Sequence, residues 1–310
     1  MTQVFNMLVG LPGSGKSTIA AEHRASGVAV HSSDEIREEL FGNAAVQGDN
    51  DIVFRLLHRR ITEDLQSGKS VTYDATNLNY RRRAEFLRQI NKLGIQNLVK
   101  RCVLLATPVD ICKERNRSRS RSVPDEAIDR MVRGFDPPTL HEGWDYINIL
   151  SAPNADADVP DALTKALSLC NFDQDNPNHA LSLGGHCIKA KEILLERYPD
   201  CASTVVRATL MHDFGKEYTK VYADAKGKKS PFAHYYGHEN VGSYLSYQYT
   251  ETLPLEQRIE IAALIRWHMQ PFVIRKSQNM MKTEDTFIKR FSKEFLDKLK
   301  IMNECDISAL

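Results

Sequence analysis

The chain has 310 residues, of which 42% are hydrophobic and 26% are charged, and its formal net charge is +1. This length favours two domains of ordinary size, and the near-average composition suggests neither disorder nor a fibrous repeat. The near-neutral charge neither indicates nor excludes a nucleic-acid partner, so local clusters of charge must decide that question.

Membrane-spanning, secreted and disulfide-rich classes are also disfavoured by the sequence. No stretch approaches the roughly 20 apolar residues that span a bilayer, and the N-terminus leads into a strand pattern without a signal-peptide pattern. The six cysteines show no C-x-x-C spacing, which argues against a zinc ribbon, a redox pair or a disulfide scaffold. We therefore expect a cytoplasmic protein with no membrane partner.

Strand-like apolar runs alternate with helical patterns through the first half of the chain. The predicted strands are Val4–Val9, Val28–His31, Val71–Tyr73 and Val99–Leu105. The predicted helices are Ser17–Ala25, Asp34–Leu40, Tyr80–Leu93, Val109–Arg115 and Val123–Phe135. This alternation predicts an α/β domain with a parallel sheet flanked by helices.

The composition changes near the middle of the chain. The segment SAPNADADVPD, residues 151–161, combines prolines, small residues and acids, which is typical of a linker. We place the domains at 1–150 and 166–310, with the linker at 151–165. The second domain is predicted to be almost entirely α-helical. Its predicted helices are Cys187–Arg197, Ser203–Met211, Val241–Tyr249, Glu256–Arg266 and Thr286–Cys305, and the run Lys226–Lys229 is predicted to be a solvated loop.

A glycine-rich sequence follows the first predicted strand. Residues 10–17, GLPGSGKS, fit the pattern G-x-x-x-x-G-K-S between a strand and a helix, a context in which backbone N–H groups cradle a triphosphate. The lysine of this pattern meets the β- and γ-phosphates, and the serine holds Mg²⁺. We therefore predict ATP and Mg²⁺ as cofactors, bound by Gly13, Ser14, Gly15, Lys16, Ser17 and Thr18.

Acidic residues follow the second and third predicted strands. Asp34 can take a proton from an attacking hydroxyl, and Arg37, one helical turn away, can hold an acceptor phosphate. The alternative is that Ser33 or Asp34 only caps the helix. Asp74 closes the third strand, where a carboxylate can orient Mg²⁺ or the nucleophile, so we include it in the nucleotide site.

A dense arginine cluster lies in the segment RNRSRSRSVP. Such cations can cover a transferring phosphoryl group from a lid, although a solvated basic face is the alternative. With GLPGSGKS, SDEIR and DATNLNYRRR, this segment resembles the phage-type polynucleotide 5′-hydroxyl kinases over roughly residues 1–145. The four motifs occur in the family's order.

The resemblance to these kinases implies a role for each matching residue. Asp34 is expected to be the general base, Arg37 a contact to the phosphate 3′ of the acceptor nucleoside, and Lys16 with Ser17 the phosphate and metal ligands. The family has two lid arginines four residues apart. Arg115 with Arg119 is favoured here, and the pair Arg117 with Arg121 stays open.

Histidines and aspartates recur through the helical half. Six N/O ligands on separate helices can converge at the centre of a bundle and bind divalent metals. A lone histidine on a helix is more often packed or exposed than a ligand, so the ordered set carries the prediction. The set is His186, His212, Asp213, His238, His268 and Asp306.

This ordered set resembles the HD-superfamily phosphohydrolases, pattern H…HD…H…H…D, over roughly residues 170–310. The resemblance implies one metal held by His186, His212, Asp213 and Asp306, and a second metal held by His238 and His268, with Asp213 bridging the two. The imidazole-rich ligands favour Mn²⁺, Ni²⁺ or Co²⁺.

Two further residues of the helical half are candidates for contacts to a substrate. Lys216 is expected to contact a substrate phosphate or the residues around the ligands, with a solvated helix end as the alternative. His179 is a candidate substrate contact, expected on the same helix face as His186, seven residues later.

Together the two halves predict a bifunctional enzyme that heals RNA or DNA ends. The first domain is expected to phosphorylate 5′-hydroxyl ends with ATP, and the HD domain to remove a 3′-phosphate or a 2′,3′-cyclic phosphate. The expected partners are nucleic-acid ends and a separate ligase. Two alternatives stay open: a nucleoside or small-metabolite kinase fused to an HD nucleotidase, and a nucleotide-sensing regulator.

Overall fold

A computed structural model of the protein describes residues 2–43, 48–119, 121–151, 161–177 and 179–310. The chain forms two compact units, one comprising Met1–Met131 and Pro138–Pro153, the other Val132–Pro137 and Asn154–Leu310. Most of the predicted linker, residues 152–160, lies outside the described residues. Among the helices described, none combines the length and apolar character needed to cross a bilayer.

The first unit contains a five-stranded parallel sheet with strand order β2-β3-β1-β4-β5. The central strand is buried from Phe5 to Val9, as is usual for a parallel sheet covered on both faces. Because all strands are parallel, the segments that follow them converge on one edge of the sheet. The strands are β1 (Val4–Val9), β2 (Ala29–Ser32), β3 (Val71–Asp74), β4 (Val99–Leu105) and β5 (Tyr146–Leu150).

In the described part of the chain, the helices that accompany this sheet are α1 (Lys16–Ala25), α2 (Ser33–Phe41), α3 (Asn50–Gln66), α4 (Tyr80–Lys92), α5 (Val109–Arg117) and α6 (Asp125–Val132). The predicted strands and helices all occur, with shifted ends, but α3 and β5 were not predicted. The side chain of Asp49 caps α3, and the helix buries every fourth residue from Val53 to Leu65. Helix α6 ends at Val132, three residues before the predicted end.

A buried ion pair fastens α4 to the segment before β5. Arg83 and Glu142 are both fully buried, with Nη2 and Oε1 2.7 Å apart. Glu142 also accepts hydrogen bonds from the Trp144 indole (3.1 Å) and from the backbone N–H of Thr139 (3.1 Å). The carboxylate is therefore surrounded by donors, which is the condition under which a buried charge is tolerated.

The second unit is mainly helical and has one large core. Its helices are α7 (Ala162–Ser168), α8 (Leu183–Arg197), α9 (Ser203–Met211), α10 (Lys216–Thr219), α11 (His238–Ser246), α12 (Leu255–Trp267), α13 (Gln270–Lys276), α14 (Met280–Arg290) and α15 (Lys293–Ser308). Core residues come from α8, α9, α12 and α15, among them Leu194, Ala208, Leu264 and Leu299. The segment Val132–Pro137 belongs to this unit, where Phe135 packs edge-on against Tyr244 with centroids 5.0 Å apart.

Two elements of the second unit differ from the sequence prediction. The antiparallel hairpin β6 (Val221–Ala223) and β7 (Lys229–His234) interrupts a region expected to lack strands. The side chain of Asp224 organises its turn by accepting bonds from the backbone N–H groups of Lys226 and Lys228, both 2.9 Å. The predicted helix Thr286–Cys305 is broken, because Ser292 caps a new helix through the N–H of Phe295 (3.0 Å).

Candidate active sites

The glycine-rich loop joins β1 to the N-terminus of α1. Gly13 has φ +81, and a Cβ there would lie 2.2 Å from the carbonyl oxygen of Cys112, so the loop can pass α5 only with glycine at this position. The Lys16 ammonium donates to the carbonyls of Gly10 (3.0 Å) and Leu11 (2.8 Å). It is thereby held over the loop where phosphates would bind.

Burial and a nearby carboxylate have opposite effects on the pKa of Lys16. Burial lowers the pKa of Lys16, and the nearby Asp74 acts in the opposite direction. Burial likewise raises the pKa of Asp74, against the effect of Lys16. Asp74 and Lys16 line one cavity of about 210 Å³ with Ser17. Ser14 is buried in the loop, and Thr18 is exposed in the first turn of α1.

Asp34 faces the same cavity from the first turn of α2. The helix is capped by Ser32, whose Oγ accepts from the N–H of Asp34 (3.3 Å), so neither Ser33 nor Asp34 is the cap. The Asp34 carboxylate forms ion pairs with two guanidinium groups, Arg37 Nη1 at 3.2 Å and Arg121 Nη1 at 3.0 Å. A carboxylate beside the phosphate loop is placed to receive a proton.

Helix α3, which was not predicted from the sequence, positions Arg37. Its residue Asn50 accepts from Arg37 Nη2 at 3.0 Å, and the ring of Phe54 lies 5.9 Å from the guanidinium carbon. Arg37 itself is buried and lines the cavity. The acidic N-cap and the buried apolar residues of α3 were the sequence signals that could have revealed this helix.

The arginine cluster contributes two cations to the cavity, Arg119 and Arg121. Arg119 Nη2 lies 3.4 Å from Ser17 Oγ. Arg117 instead pairs with Asp125, and Arg115 is exposed on α5 and does not line the cavity. The structure thus brings together one arginine from each of the two pairs considered from sequence.

The six predicted metal ligands of the second unit converge from five segments of the chain. His186 lies on α8, His212 and Asp213 follow α9, His238 begins α11, His268 follows α12, and Asp306 lies on α15. They form two groups in which the ligand atoms are mutually close: His186, His212 and Asp306, and then Asp213, His238 and His268.

Asp213 lies between the two groups, with one oxygen towards each. Its Oδ2 is 3.3 Å from His212 Nε2, and its Oδ1 is 3.3 Å from His238 Nε2. Burial would raise the pKa of Asp213, but His212 and Lys216 together hold it well below its usual range. An ionised carboxylate with oxygens on both sides has the geometry needed to bridge two cations.

The imidazole rings are oriented by backbone carbonyls. His212 Nδ1 lies 2.7 Å from the carbonyl oxygen of Thr209. His238 Nδ1 lies 2.8 Å from that of Tyr235, and His268 Nδ1 lies 2.7 Å from that of Ile265. Each of these contacts places the proton on Nδ1 and leaves Nε2 free to bind a metal. Four imidazoles and two carboxylates therefore fit a pair of divalent transition metals.

Asp306 is held in place despite its position near the end of the chain. Its helix α15 buries Leu299, Met302 and Cys305 in the core. Its Oδ1 lies 2.9 Å from His186 Nε2. The last turn of α15 is therefore packed against the ligand groups.

Lys216 and His179 lie beside these ligands. Lys216 is buried, with Nζ 2.7 Å from Asp213 Oδ2 and 2.9 Å from the side-chain oxygen of Gln174. Helix α8 begins at Leu183, so His179 precedes it, and the prediction of a shared helix face was wrong. The rings of His179 and His186 are nevertheless 5.7 Å apart. Gln174 was not identified from the sequence, where an isolated glutamine gives no signal.

Comparison with known families matches both halves of the chain. Residues 6–138 match the family of the AAA domain, and residues 182–300 match the family of the HD domain. The chain therefore combines a P-loop domain of kinase type with an HD domain, and the predicted fold class, an α/β P-loop domain followed by a helical HD-type domain, is confirmed. These two families indicate an enzyme that binds a nucleotide and divalent metals.

Two curated relatives resemble about half of the chain. The transcription factor bHLH140 of Arabidopsis thaliana is 27% identical over 168 residues, covering 52% of this chain and 17% of the relative. The L-seryl-tRNA(Sec) kinase of Methanococcus maripaludis is 25% identical over 176 residues, covering 53% of this chain and 64% of the relative. The chain thus spans less than two thirds of each.

Solved structures show more distant likeness. The Pnkp1/Rnl/Hen1 RNA repair complex has a TM-score of 0.36 at 20% identity, over 42% of this chain and 43% of that chain. A fungal RNA kinase has a TM-score of 0.38 at 12% identity, over 68% of this chain and 49% of that chain.

Proposed function

We propose that the first domain transfers the γ-phosphoryl group of ATP to the 5′-hydroxyl of a polynucleotide. The observation that carries this proposal is the position of Asp34, which shares a cavity with Lys16 and Ser17 and is flanked by Arg37 and Arg121. Hydrolysis of ATP needs no cation that holds an acceptor's phosphate, because water carries none. An acceptor that carries its own phosphate does, because that charge must be held while its hydroxyl attacks.

Each residue then has one task in the transfer. Asp34 takes the proton of the 5′-hydroxyl as its oxygen bonds to the γ-phosphorus and ADP departs. Arg37 holds the phosphate 3′ of the acceptor nucleoside, while Lys16 and Arg119 hold the phosphates of the nucleotide. Mg²⁺, when bound by Ser17, supplies charge neutralisation at the transferring group.

Asp34→Asn tests the kinase half. The substitution keeps the size of the side chain but removes the base, so turnover should fall by about 10²–10⁴-fold while ATP affinity is retained. The assay is transfer of labelled phosphate from ATP to an oligonucleotide with a 5′-hydroxyl. A wild-type protein that never labels such ends would show that the acceptor is something else.

The comparison of acceptors separates this proposal from a small-metabolite kinase. A 3′-phosphorylated nucleoside and an oligomer should be phosphorylated better than a plain nucleoside, and Arg37→Ala should abolish that preference. The relative named as a kinase of seryl-tRNA supports an acceptor carried on RNA. Equal use of all three acceptors by the wild-type protein would contradict the role given to Arg37.

For the HD domain we propose removal of a phosphate from the 3′ end of a nucleic acid, as a 3′-phosphate or a 2′,3′-cyclic phosphate. The supporting feature is the carboxylate of Asp213 between two histidine groups. Two divalent metals held there supply Lewis acidity towards a phosphoester. Lys216, buried beside Asp213, is placed to hold a phosphate oxygen.

Asp213→Ala tests the phosphoesterase half. Loss of the bridging carboxylate should abolish phosphate release in Mn²⁺, Ni²⁺ or Co²⁺, while 5′ phosphorylation by the other domain continues. The substrate of choice is an RNA with a 5′-hydroxyl and a 2′,3′-cyclic phosphate, whose two ends are mapped after reaction. Unchanged release of phosphate by the variant would show that the two-metal arrangement is wrong.

A further inference from the structure

The hairpin β6–β7 carries a row of aromatic rings on its outer side. Phe232, His234 and Tyr236 occupy alternate positions along β7 and the residues that follow it, and Phe232 and Tyr236 are 49% and 45% exposed. The intervening Ala233 is buried, so the strand shows its aromatic residues outward with period two. The rings of His234 and Tyr236 are stacked, 5.5 Å apart and inclined by 5°.

The same hairpin is strongly basic. Residues 220–236 contain four lysines and a single acidic residue, Asp224. Lys220 is paired with Asp175 of a neighbouring segment (2.6 Å), which leaves the three lysines of the turn. Lys226, Lys228 and Lys229 are exposed around the turn, and the carboxylate of Asp224 is engaged by backbone N–H groups of that turn. A surface that combines exposed rings with unopposed lysines is complementary to a polyanion that carries flat bases.

The aromatic row leads directly into the metal-ligand groups. The chain passes from Tyr236 to the ligand His238 within two residues, and the carbonyl of Tyr235 accepts the Nδ1 proton of that ligand (2.8 Å). The hydroxyl of Tyr235 donates to the backbone carbonyl of Gln174, whose side chain accepts from Lys216 (2.9 Å). The hairpin is thus anchored at the end nearest the metal-ligand groups, and its basic turn lies at the other end.

We infer that this outer face of the hairpin binds single-stranded nucleic acid and guides a 3′ end to the metal centre. Phe232 lies on β7, Tyr236 lies two residues beyond its end, and His234 stands between them. Aromatic residues carried on a sheet stack two or three successive bases in RNA-binding domains. Bases upstream of the 3′-terminal nucleotide stack on Tyr236 and Phe232, and the lysines of the turn contact phosphates further along the strand. The inference rests on the proposed phosphoesterase function and specifies its substrate as a strand rather than a mononucleotide.

The test uses the full chain with Mn²⁺ and two substrates that end in a 3′-phosphate. One is a single strand of about ten nucleotides with fluorescein on its 5′ oxygen, so that the kinase domain cannot phosphorylate it. The other is a 3′-phosphorylated nucleoside. The double variant Phe232→Ala with Tyr236→Ala should raise KM for the strand about tenfold or more and leave kcat/KM for the nucleoside unchanged. Tyr236→Phe keeps the ring and should behave as wild type.

A matched control removes an exposed aromatic residue elsewhere. Tyr146, 59% exposed at the start of β5 in the other unit, can be changed to alanine and should leave KM for the strand unchanged. Replacing Lys226, Lys228 and Lys229 with alanine should weaken strand binding. It should also reduce the slope of log binding constant against log salt concentration by about 0.7 per lost phosphate contact. Equal effects of the double variant on both substrates, or none on either, would overturn the inference.

Failure of the inference and failure of the phosphoesterase proposal give different results. If the wild-type protein releases phosphate from neither substrate, the phosphoesterase proposal fails, and fluorescence anisotropy of the same labelled strand decides the inference alone. Weaker binding by the double variant then supports it, and equal binding overturns it. If the double variant instead converts a dimer to a monomer in sedimentation without changing strand affinity, the face joins two copies of the chain and the inference is wrong.

Discussion

Gly215→Ala should uncouple the two groups of ligands in the HD domain. Gly215 lies where the segment after Asp213 crosses the start of α11, and a Cβ there would be 2.0 Å from the carbonyl oxygen of His238 and 2.6 Å from the N–H nitrogen of Gly242. Such contacts are not tolerated below about 3 Å, so the two segments must separate by about 1 Å.

That displacement is large for a metal site. His238 Nε2 lies 3.3 Å from Asp213 Oδ1, and metal–ligand distances tolerate only about 0.2 Å. The second metal should therefore bind at least about tenfold more weakly, and misplacement by about 1 Å should lower phosphate release by about 100-fold. The overpacking itself should cost about 1–3 kcal/mol of stability.

Calorimetric titration with Mn²⁺, together with metal content by mass spectrometry, measures the first effect directly. Wild-type protein should bind two ions per chain, and the variant should keep only the one held by the group containing His186. Gly242→Ala is the matched control, since its Cβ would lie 3.3 Å from Ile265 Cγ2 and only a few tenths of an ångström must be accommodated. Two ions bound by Gly215→Ala with wild-type affinity and unchanged turnover would refute this account of how the ligands are positioned.

Two further predictions concern the first unit. Glu142→Gln leaves the buried guanidinium of Arg83 without its charge partner and should destabilise the domain by about 3 kcal/mol in urea unfolding, whereas the double change with Arg83→Met should recover part of that loss. Burial lowers the pKa of His58 to about 4, so the unfolded chain takes up a proton at higher pH than the folded one. The contribution of His58 to the free energy of unfolding is therefore complete above pH 6.5 and is lost as the pH falls from 6.5 to about 4. It amounts to about 1–2 kcal/mol after allowance for the partly exposed ring, and His58→Phe should flatten the stability profile across that window. An unchanged profile would show that other groups dominate it.

Both candidate sites were visible in the sequence because their residues are bound to short, local patterns. The glycine-rich loop needs its glycines, lysine and serine next to one another, since consecutive N–H groups must face one ligand. The pair His212-Asp213 supplies ligands from adjacent positions in the same way. Asp34 after β2 and Asp74 at the end of β3 were also recognisable, because the ends of parallel strands meet at one edge of the sheet.

Contacts between residues far apart in the chain were decided by the tertiary structure alone. Arg37 meets Asn50 of the unpredicted helix α3, and Arg121 rather than Arg115 reaches Asp34. Which arginine contacts the cavity depends on where helix α5 ends. Arginines at every second position do not determine that end from the sequence.

The metal-ligand groups and the hairpin make the same point. Which oxygen of Asp213 faces which histidines follows from how five segments pack. The hairpin β6–β7 places the basic run at its turn on the same element as the aromatic residues of β7. Local sequence specifies the chemistry of each group, because backbone spacing is short and regular. Packing specifies which groups meet, because burial and long-range hydrogen bonds act between segments that the linear order does not relate.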